Sequence, residues 1–355
     1  MRILIVRLRQ IGDVVFTTPA IHALRARFPD AHLAYIVEPH AAALIAANPH
    51  LNEVIVAPRT GWAADVALVR RLRAARFDVA IDFHGGPRAS ILTWLSGAPV
   101  RIGYEVVGRS WMYTRRVARP RALRPRHSVE NQWDLLRALD IPAPDRSRFP
   151  VEMTVDPAAA RAMDERLARA GVEPGDPVIV IHVSAGNPFR RWPIAAFGAL
   201  VTVLITRDRR RRVIVTSGPS DRQAAGRVIA HARSLLSHED GGHVTSCGEC
   251  SLAELRALVE RAALYIGGDS GPLHIAATSA VPIVALYGPT LPVRSEPWRS
   301  PHLIAEAVEV SGLPCRPCNQ RVCAPGDFRC LTWVPPEQVI EAAERALARA
   351  AHTQC

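Results

Sequence analysis

The sequence predicts an α/β chain of two doubly wound domains, each a parallel sheet flanked by helices. Three observations predict it. The chain has 355 residues, more than one α/β core comfortably fills. Short apolar runs alternate with longer helical patterns from the first residues to the last. The alternation breaks near the middle in Pro-, Asp- and Gly-rich segments and then restarts.

The opening Arg2-Ile3-Leu4-Ile5-Val6-Arg7 has the apolar centre of a strand buried in a parallel sheet. A loop over residues 8–12 leads to a helical pattern over 13–28, which Pro29-Asp30 stops. Pro19 falls inside that pattern. It lacks an N–H and its ring crowds the preceding turn, so it should kink the helix or delay its start. Further strands are read at 33–37, 54–56, 79–83 and 100–103, with a helix at 62–75. Residues 142–157 break into Pro, Asp, Arg and Ser. One helix follows at 158–170, and Gly171-Val172-Glu173-Pro174-Gly175-Asp176-Pro177 reads as the linker. Domains are therefore expected over 1–172 and 173–355. In the second, strands fall at 178–183, 213–217, 264–267 and 282–287, and helices at 194–205, 221–236, 252–261 and 273–279. A closing helix over 335–350 has Pro at its start and an Ala/Val/Ile stripe. Ligands of such sheets bind beyond the carboxyl ends of the strands, so two facing domains predict one interdomain cleft.

Hydrophobic residues make up 48% and charged residues 22%, a globular rather than a disordered composition. No apolar run approaches the roughly 20 residues of a bilayer span. Only Ile3 to Val6 are apolar before Arg7 and Arg9, against the roughly 7–15 residues of a secretory core. A cytoplasmic location is expected. The net charge is +11, and Arg is used throughout in place of Lys. A GC-rich genome explains that, and so does a surface that meets phosphate in a nucleotide, a nucleic acid or an anionic lipid.

Four loops collect polar chemistry at predicted strand-to-helix turns. In Arg7-Leu8-Arg9-Gln10-Ile11-Gly12-Asp13, Asp13 is either an N-cap or a general base for an attacking hydroxyl. Gly267-Gly268-Asp269-Ser270-Gly271-Pro272-Leu273-His274 lets a ligand approach the backbone and offers N–H groups to a diphosphate. It lacks the GK[ST] of a Walker loop and is not GxGxxG. Ser184-Ala185-Gly186-Asn187-Pro188-Phe189-Arg190-Arg191-Trp192-Pro193 places two arginines before a helix, where they can neutralise phosphate. Trp192 is expected to pack rather than to stack on a base. In Gly218-Pro219-Ser220-Asp221, Asp221 is a cap or a ribose-hydroxyl acceptor.

Together these residues resemble glycosyltransferase family 9, the ADP-heptose lipopolysaccharide heptosyltransferases. Gly12-Asp13 through Thr18-Pro19 resembles the family's N-terminal motif. Asp82-Phe83-His84-Gly85 with Arg88 resembles its D-x-x-G…R stretch, and Arg101-Ile102-Gly103-Tyr104 its R-I-G. Arg190-Arg191-Trp192-Pro193 is similar to K-R-W-P. Asp269-Ser270-Gly271-Pro272-Leu273-His274 through Tyr287-Gly288-Pro289-Thr290 is similar to the strongest signature almost letter for letter. The resemblance implies a GT-B fold of two Rossmann-like domains and an inverting transfer without a catalytic metal or other required cofactor. It implies Asp13 as base and Arg190 among the groups that hold the donor; negative charge building on the leaving diphosphate makes Arg190 an expected catalytic group as well. It places the ADP-sugar donor on the C-terminal domain, at Ser184, Gly186, Asp221, Asp269, Ser270, Gly271, Pro272 and His274. The acceptor, a lipopolysaccharide core or related glycan, falls on the N-terminal domain with Arg88 and Arg101. The terminal helix suits a GT-B chain, whose last helix returns towards that domain, and equally an ordinary terminal helix. The family's Lys is Arg190 here, which keeps the charge but changes reach and geometry.

Cys315, Cys318, Cys323 and Cys330 are spaced CxxC, then by four and six intervening residues. The set suits a structural zinc or iron, or buried thiols. A related group that glycosylates autotransporters is known for an iron-binding cysteine motif. Cys247 and Cys250 form a second CxxC in a polar loop.

The expected function is transfer of a heptose or similar sugar to a lipopolysaccharide core acceptor. Arg115, Arg116, Arg119, Arg121, Arg124 and Arg126 form a basic run that either meets acceptor phosphates and the inner membrane face or is a solvated loop. Two other functions fit less of the sequence. A nucleotide-sugar epimerase or hydrolase would keep the fold. A nucleic-acid binder would use the charge, but aromatics are only 6% and no recognition motif is present.

Overall fold

The computed structural model describes residues 1–58, 61–118 and 126–354, so Arg119, Arg121 and Arg124 lie outside it. Two compact units result: Met1–Thr154 with Trp298–Ser300, and Val155–Pro297 with Pro301–Cys355.

The first unit runs β1 (Arg2–Val6), α1 (Ile11–Val15), α2 (Thr18–Arg27), β2 (His32–Val37), β3 (Glu53–Val56), α3 (Trp62–Ala74), β4 (Val79–Asp82), α4 (Pro87–Leu95), β5 (Val100–Tyr104), β6 (Arg115–Val117) and α5 (Ser128–Trp133). Its sheet has the order β3-β2-β1-β4-β5-β6, and every pairing is parallel. The helical pattern over 13–28 divides into α1 and α2, with Pro19 in the first turn of α2, where its missing N–H is tolerated.

The second unit runs α6 (Pro157–Arg169), β7 (Val178–His182), α7 (Ile194–Arg207), β8 (Arg212–Thr216), α8 (Ala224–Leu235), α9 (His238–Gly241), β9 (Val244–Thr245), α10 (Leu252–Glu260), β10 (Leu264–Gly268), α11 (Gly271–Ala276), β11 (Ile283–Tyr287), α12 (Pro292–Ser295), β12 (Ala305–Glu309), α13 (Arg329–Thr332) and α14 (Pro336–Gln354). Its sheet has the order β12-β11-β10-β7-β8-β9, again parallel throughout. Counted within each unit, both sheets read 3-2-1-4-5-6 from one edge or the other. This is the doubly wound order whose direction reverses between the first and fourth strands.

One expectation about boundaries is corrected. The division falls at residue 154 rather than 172, so α6 belongs to the second unit. There it docks on α10 through Arg166–Glu254 at 2.6 Å, and its Asp164 pairs with Arg261 at 2.8 Å. The terminal helix α14 belongs to the second unit, within the expected bounds 173–355. Its stripe of Val339, Ile340, Ala342, Ala343 and Ala346 is buried in that unit's core, and Arg211 pairs with its Glu344 at 2.7 Å.

The segment Pro188–Arg207, which includes α7, is long and apolar enough to cross a membrane by length and composition alone, although Arg190 and Arg191 interrupt it. Its apolarity has a local cause. Phe197, Leu200, Val201, Leu204 and Ile205 are buried in the second unit's core, each contributing about 1.5–3 kcal/mol.

Candidate active site

Each sheet has one switch point, between β1 and β4 in the first unit and between β7 and β10 in the second. The loops leaving these strands carry most of the residues singled out by the sequence.

In the first unit, Asp13 is the third residue of α1 and not its N-cap. That position is Gln10, whose side chain makes no capping bond. Asp13 forms an ion pair with Arg7 at the end of β1. Arg7 is buried and anchored by donating to the carbonyl of Phe83 at 2.6 Å. The pair engages Oδ2 of Asp13. Among the described residues no bond is made to Oδ1, and the side chain is 37% exposed. Gln132 donates to the Asp13 carbonyl at 3.3 Å, fixing the backbone beneath.

Asp82 ends β4 beside them, fully buried. It accepts from the N–H groups of His84 at 2.9 Å and Gly85 at 2.8 Å, and from the hydroxyl of Tyr113 at 2.6 Å. Burial pushes its carboxyl up, against these bonds. A Cβ on Gly103 would run into the Tyr113 ring, so glycine is what lets Tyr113 reach Asp82. Burial and the cations Arg7 and Arg9 hold His84 down at about 4, hence neutral near pH 7. Sequence reasoning quoted Asp82 and His84 but gave them no role. Tyr113 carried no signal.

The two arginines assigned to the acceptor behave differently. Arg88, on the first turn of α4, bonds Asp65 at 2.8 Å and Glu38 at 3.4 Å, so two carboxylates answer its charge. Arg101 lies near the start of β5, level with Ala80 rather than with Asp82. Its guanidinium ties down the carbonyls of Met112 at 2.7 Å and Ala98 at 2.6 Å. The structure therefore does not bring Arg101 to the carboxyl edge, because two loops hold it below.

In the second unit, Asp269 follows β10 and is only 2% exposed. Arg190 donates Nη1 to the Asp269 carbonyl at 2.9 Å and lies 3.2 Å from its Oδ2. Thr290 donates to the same oxygen. Arg190 Nε donates to Gln320 at 2.7 Å. Among the described residues no bond engages its Nη2. Gly268 permits this approach, since a Cβ there would sit 3.0 Å from the Arg190 carbonyl. Gln320 was missed in the sequence because it lies far along the chain.

Arg191 turns back onto its own loop, to the Ala185 carbonyl at 3.0 Å, and pairs with Asp221 at 3.3 Å. Arg227 also holds Asp221, at 3.0 Å. Trp192 packs in the core as expected, its indole N–H on the Val334 carbonyl at 3.0 Å. Gly186 has no atom within 4 Å of where a Cβ would stand. Next to Asp269, the Ser270 hydroxyl is buried without a partner among the described residues. His274 is buried 3.7 Å from Asp269 Oδ1.

Ser184 is buried and works inside the fold. Its hydroxyl accepts from the Gly218 N–H at 2.6 Å and lies 3.3 Å from His182 Nε2. His182 Nδ1 lies 3.0 Å from Thr216 Oγ1. The proton order that leaves no hydrogen idle has Ser184 donating to Nε2 and Nδ1–H donating to Thr216. It requires a neutral imidazole, and burial indeed lowers His182 to about 4. The unfolded chain therefore binds this proton from about pH 6.5 downwards while the folded chain refuses it to about pH 4. Stability is present above that window and is lost as pH falls through it, by roughly 3 kcal/mol for the full shift. Thermal melts between pH 7 and 4.5 should show a shallower pH dependence for His182→Asn than for the parent. Parallel slopes would mean that His182 is not the group responsible.

The six cysteines among the described residues are free thiols. Cys318 accepts from the Gln320 N–H at 3.3 Å and Cys323 from the Phe328 N–H at 3.4 Å. Burial raises Cys330, and raises Cys250 to about 11. Among the described residues, the one group of metal-ligand side chains gathered within 4.8 Å lies elsewhere, at His22, His50 and Glu152.

Comparison with solved structures defines the fold. The chain matches a glycosyl transferase family 9 protein of Veillonella parvula with TM-score 0.82 and 24% identity, over 98% of this chain and 97% of that one. It matches the E. coli ADP-heptose lps heptosyltransferase II with TM-score 0.77 and 21% identity, over 99% and 100%. The fold is GT-B. The chain belongs to glycosyltransferase family 9, the heptosyltransferase family, whose sequence model matches residues 66–327, and it is a glycosyltransferase. Among characterised relatives, lipopolysaccharide heptosyltransferase 3 of Escherichia coli is 27% identical over 344 residues, 95% of this chain and 96% of that one.

Proposed function

We propose that this enzyme moves a heptose, or a closely similar sugar, from an ADP-sugar to a lipopolysaccharide core acceptor at the cytoplasmic face of the inner membrane, with inversion at the anomeric carbon. The observation that carries this reading is the likeness to a lipopolysaccharide heptosyltransferase over 95% of the chain.

The second unit takes the donor. Diphosphate oxygens would be met by the Ser270 hydroxyl, which has no partner among the described residues, and by the backbone from Gly271 and Pro272 to His274. Gly186 offers open space beside its loop. Asp221, held by two arginines, accepts from the ribose hydroxyls. Ser184 positions the Gly218 turn.

The first unit takes the acceptor, with Arg88 at its polar rim. Asp13 Oδ1 receives the proton of the attacking hydroxyl. The bond between that oxygen and the anomeric carbon forms as the bond to the nucleotide diphosphate breaks, and the leaving group carries away the electron pair. Arg190 stabilises the charge that accumulates there.

The test is mass spectrometry of products from truncated core acceptor incubated with ADP-heptose, UDP-glucose or ADP-glucose. Acceptor gaining one heptose mass only with ADP-heptose is expected. Transfer of a hexose alone would overturn the sugar assignment. Sugar released without acceptor would mark a hydrolase.

A further inference from the structure

The chain answers many of its carboxylates with arginine, as at Asp13, Asp221 and Asp269. Glu152 is different. It is half-buried near the end of the first unit, and among the described residues it is paired not with an arginine but with His50, whose Nε2 lies 3.3 Å from Oε1. Asn48 donates to the same oxygen at 3.3 Å. The ring of His22, from α2, stacks on that of His50 with centroids 4.1 Å apart, and its Nδ1 is buried with no partner among the described residues. One ligand atom from each of His22, His50 and Glu152 lies within 4.8 Å of the others.

We propose that His22, His50 and Glu152 form a binding site for a divalent transition-metal ion of the zinc class, separate from the transfer chemistry.

Two imidazoles and one carboxylate are a donor set that zinc accepts, with water completing the tetrahedron. A cation would answer the charge of Glu152, which lies half-buried beside two imidazole rings, with no arginine among its ion pairs in the described residues. The stacked rings run within 15° of parallel, so their lone pairs do not yet converge. Turning one ring about χ2, a broad torsion, brings them together.

The neighbouring bonds indicate what the ion would do. Asn48 accepts from the His50 N–H at 3.0 Å and so orients that loop. The Glu152 N–H donates to Thr18 at 2.9 Å, and Thr154 donates to the Ala47 carbonyl at 2.8 Å. The three ligands thus come from α2, the loop before β3 and the last residues of the first unit. An ion joining them would clamp the chain where it leaves that unit at Thr154.

The full chain, stripped with chelator, is dialysed against zinc, and bound metal is counted by atomic emission. Cobalt is substituted as the spectroscopic probe. One equivalent should bind with the visible bands of a tetrahedral nitrogen/oxygen site and without intense thiolate charge-transfer bands. His50→Gln and Glu152→Gln should lose at least about tenfold in affinity. Cys318→Ser/Cys323→Ser should retain it. Zinc should raise the melting temperature of the parent and not of Glu152→Gln. Should a variant fail to fold, zinc protection of His22 and His50 from chemical modification in the parent decides the matter. No bound metal, unchanged affinity in both ligand variants, a thiolate spectrum, or unprotected histidines would each overturn the site.

Discussion

Asp13→Asn is expected to lower turnover at least about a hundredfold, some 2.7 kcal/mol of transition-state stabilisation, while donor affinity stays near that of the parent. A hydroxyl attacks an anomeric carbon poorly until something accepts its proton as the bond forms. A general base is worth roughly 10²–10⁴ in rate. Asp13 meets the positional demands of that role. It stands on the loop after β1, at the switch point of the first sheet. Arg7 fixes one carboxylate oxygen, and the other makes no bond among the described residues. The competing role of helix cap is removed, because Gln10 occupies the cap. Asn keeps an oxygen that can accept from Arg7 but cannot take a proton. The ion pair it weakens is partly exposed, and pairs of that kind contribute about 1 kcal/mol or less. The melting temperature should therefore shift little. Near-normal turnover of Asp13→Asn on the core acceptor would remove Asp13 as base. A large loss of donor affinity would reassign it to binding.

The interior strands were legible because each carries its own apolar run, as Arg2–Val6 and Val178–His182 do. Three strands were not read: β6, β9 and β12. All three lie at sheet edges. Arg115–Val117 begins with two exposed arginines, Val244–Thr245 is too short to show a period, and Ala305–Glu309 has only Val308 buried. Such strands exist because a neighbour offers a hydrogen-bonding edge, which local composition does not report. The domain boundary failed for a related reason. Helix α6 belongs with α10 through ion pairs formed far along the chain, whereas the glycines at 171 and 175 mark only local turns. In the site, Arg190 and Asp269 were legible from the signature. Their partner Gln320 was not. Arg101 sat in a recognisable motif yet stabilises the loops beside β5, because a motif records a residue type and not where its side chain points. His22, His50 and Glu152 share no spacing pattern at all. The fold alone brings them together.

Arg190→Ala should lower turnover by roughly 10²–10³ and donor affinity much less, since a fixed donor acts chiefly where charge develops in the transition state. The leaving diphosphate gains negative charge as its bond to the sugar breaks. Arg190 is prepared for this by Gln320 on Nε and by Asp269 on Nη1, which leaves Nη2 without a bond among the described residues. Arg191 cannot substitute. It is engaged with the Ala185 carbonyl and with Asp221, so Arg191→Ala should loosen the donor loop and weaken affinity before turnover. The alanine variant has a second effect. Asp269 is almost wholly buried, and removing its cation leaves a charge that Thr290 and His274 only partly answer. Breaking a buried pair in this way costs about 3–5 kcal/mol, so a lower melting temperature is expected and must be separated from the chemistry. Arg190→Lys separates them. It keeps a cation beside Asp269 and has the residue of the family's K-R-W-P motif, so it should restore stability and most of the turnover. Arg190→Ala/Asp269→Asn should recover stability without recovering turnover. If that double variant instead regains near-normal turnover at a temperature where it is fully folded, Arg190 serves only to neutralise Asp269. If Arg191→Ala shows the selective loss of turnover and Arg190→Ala does not, the charge on the leaving group is met one residue further along.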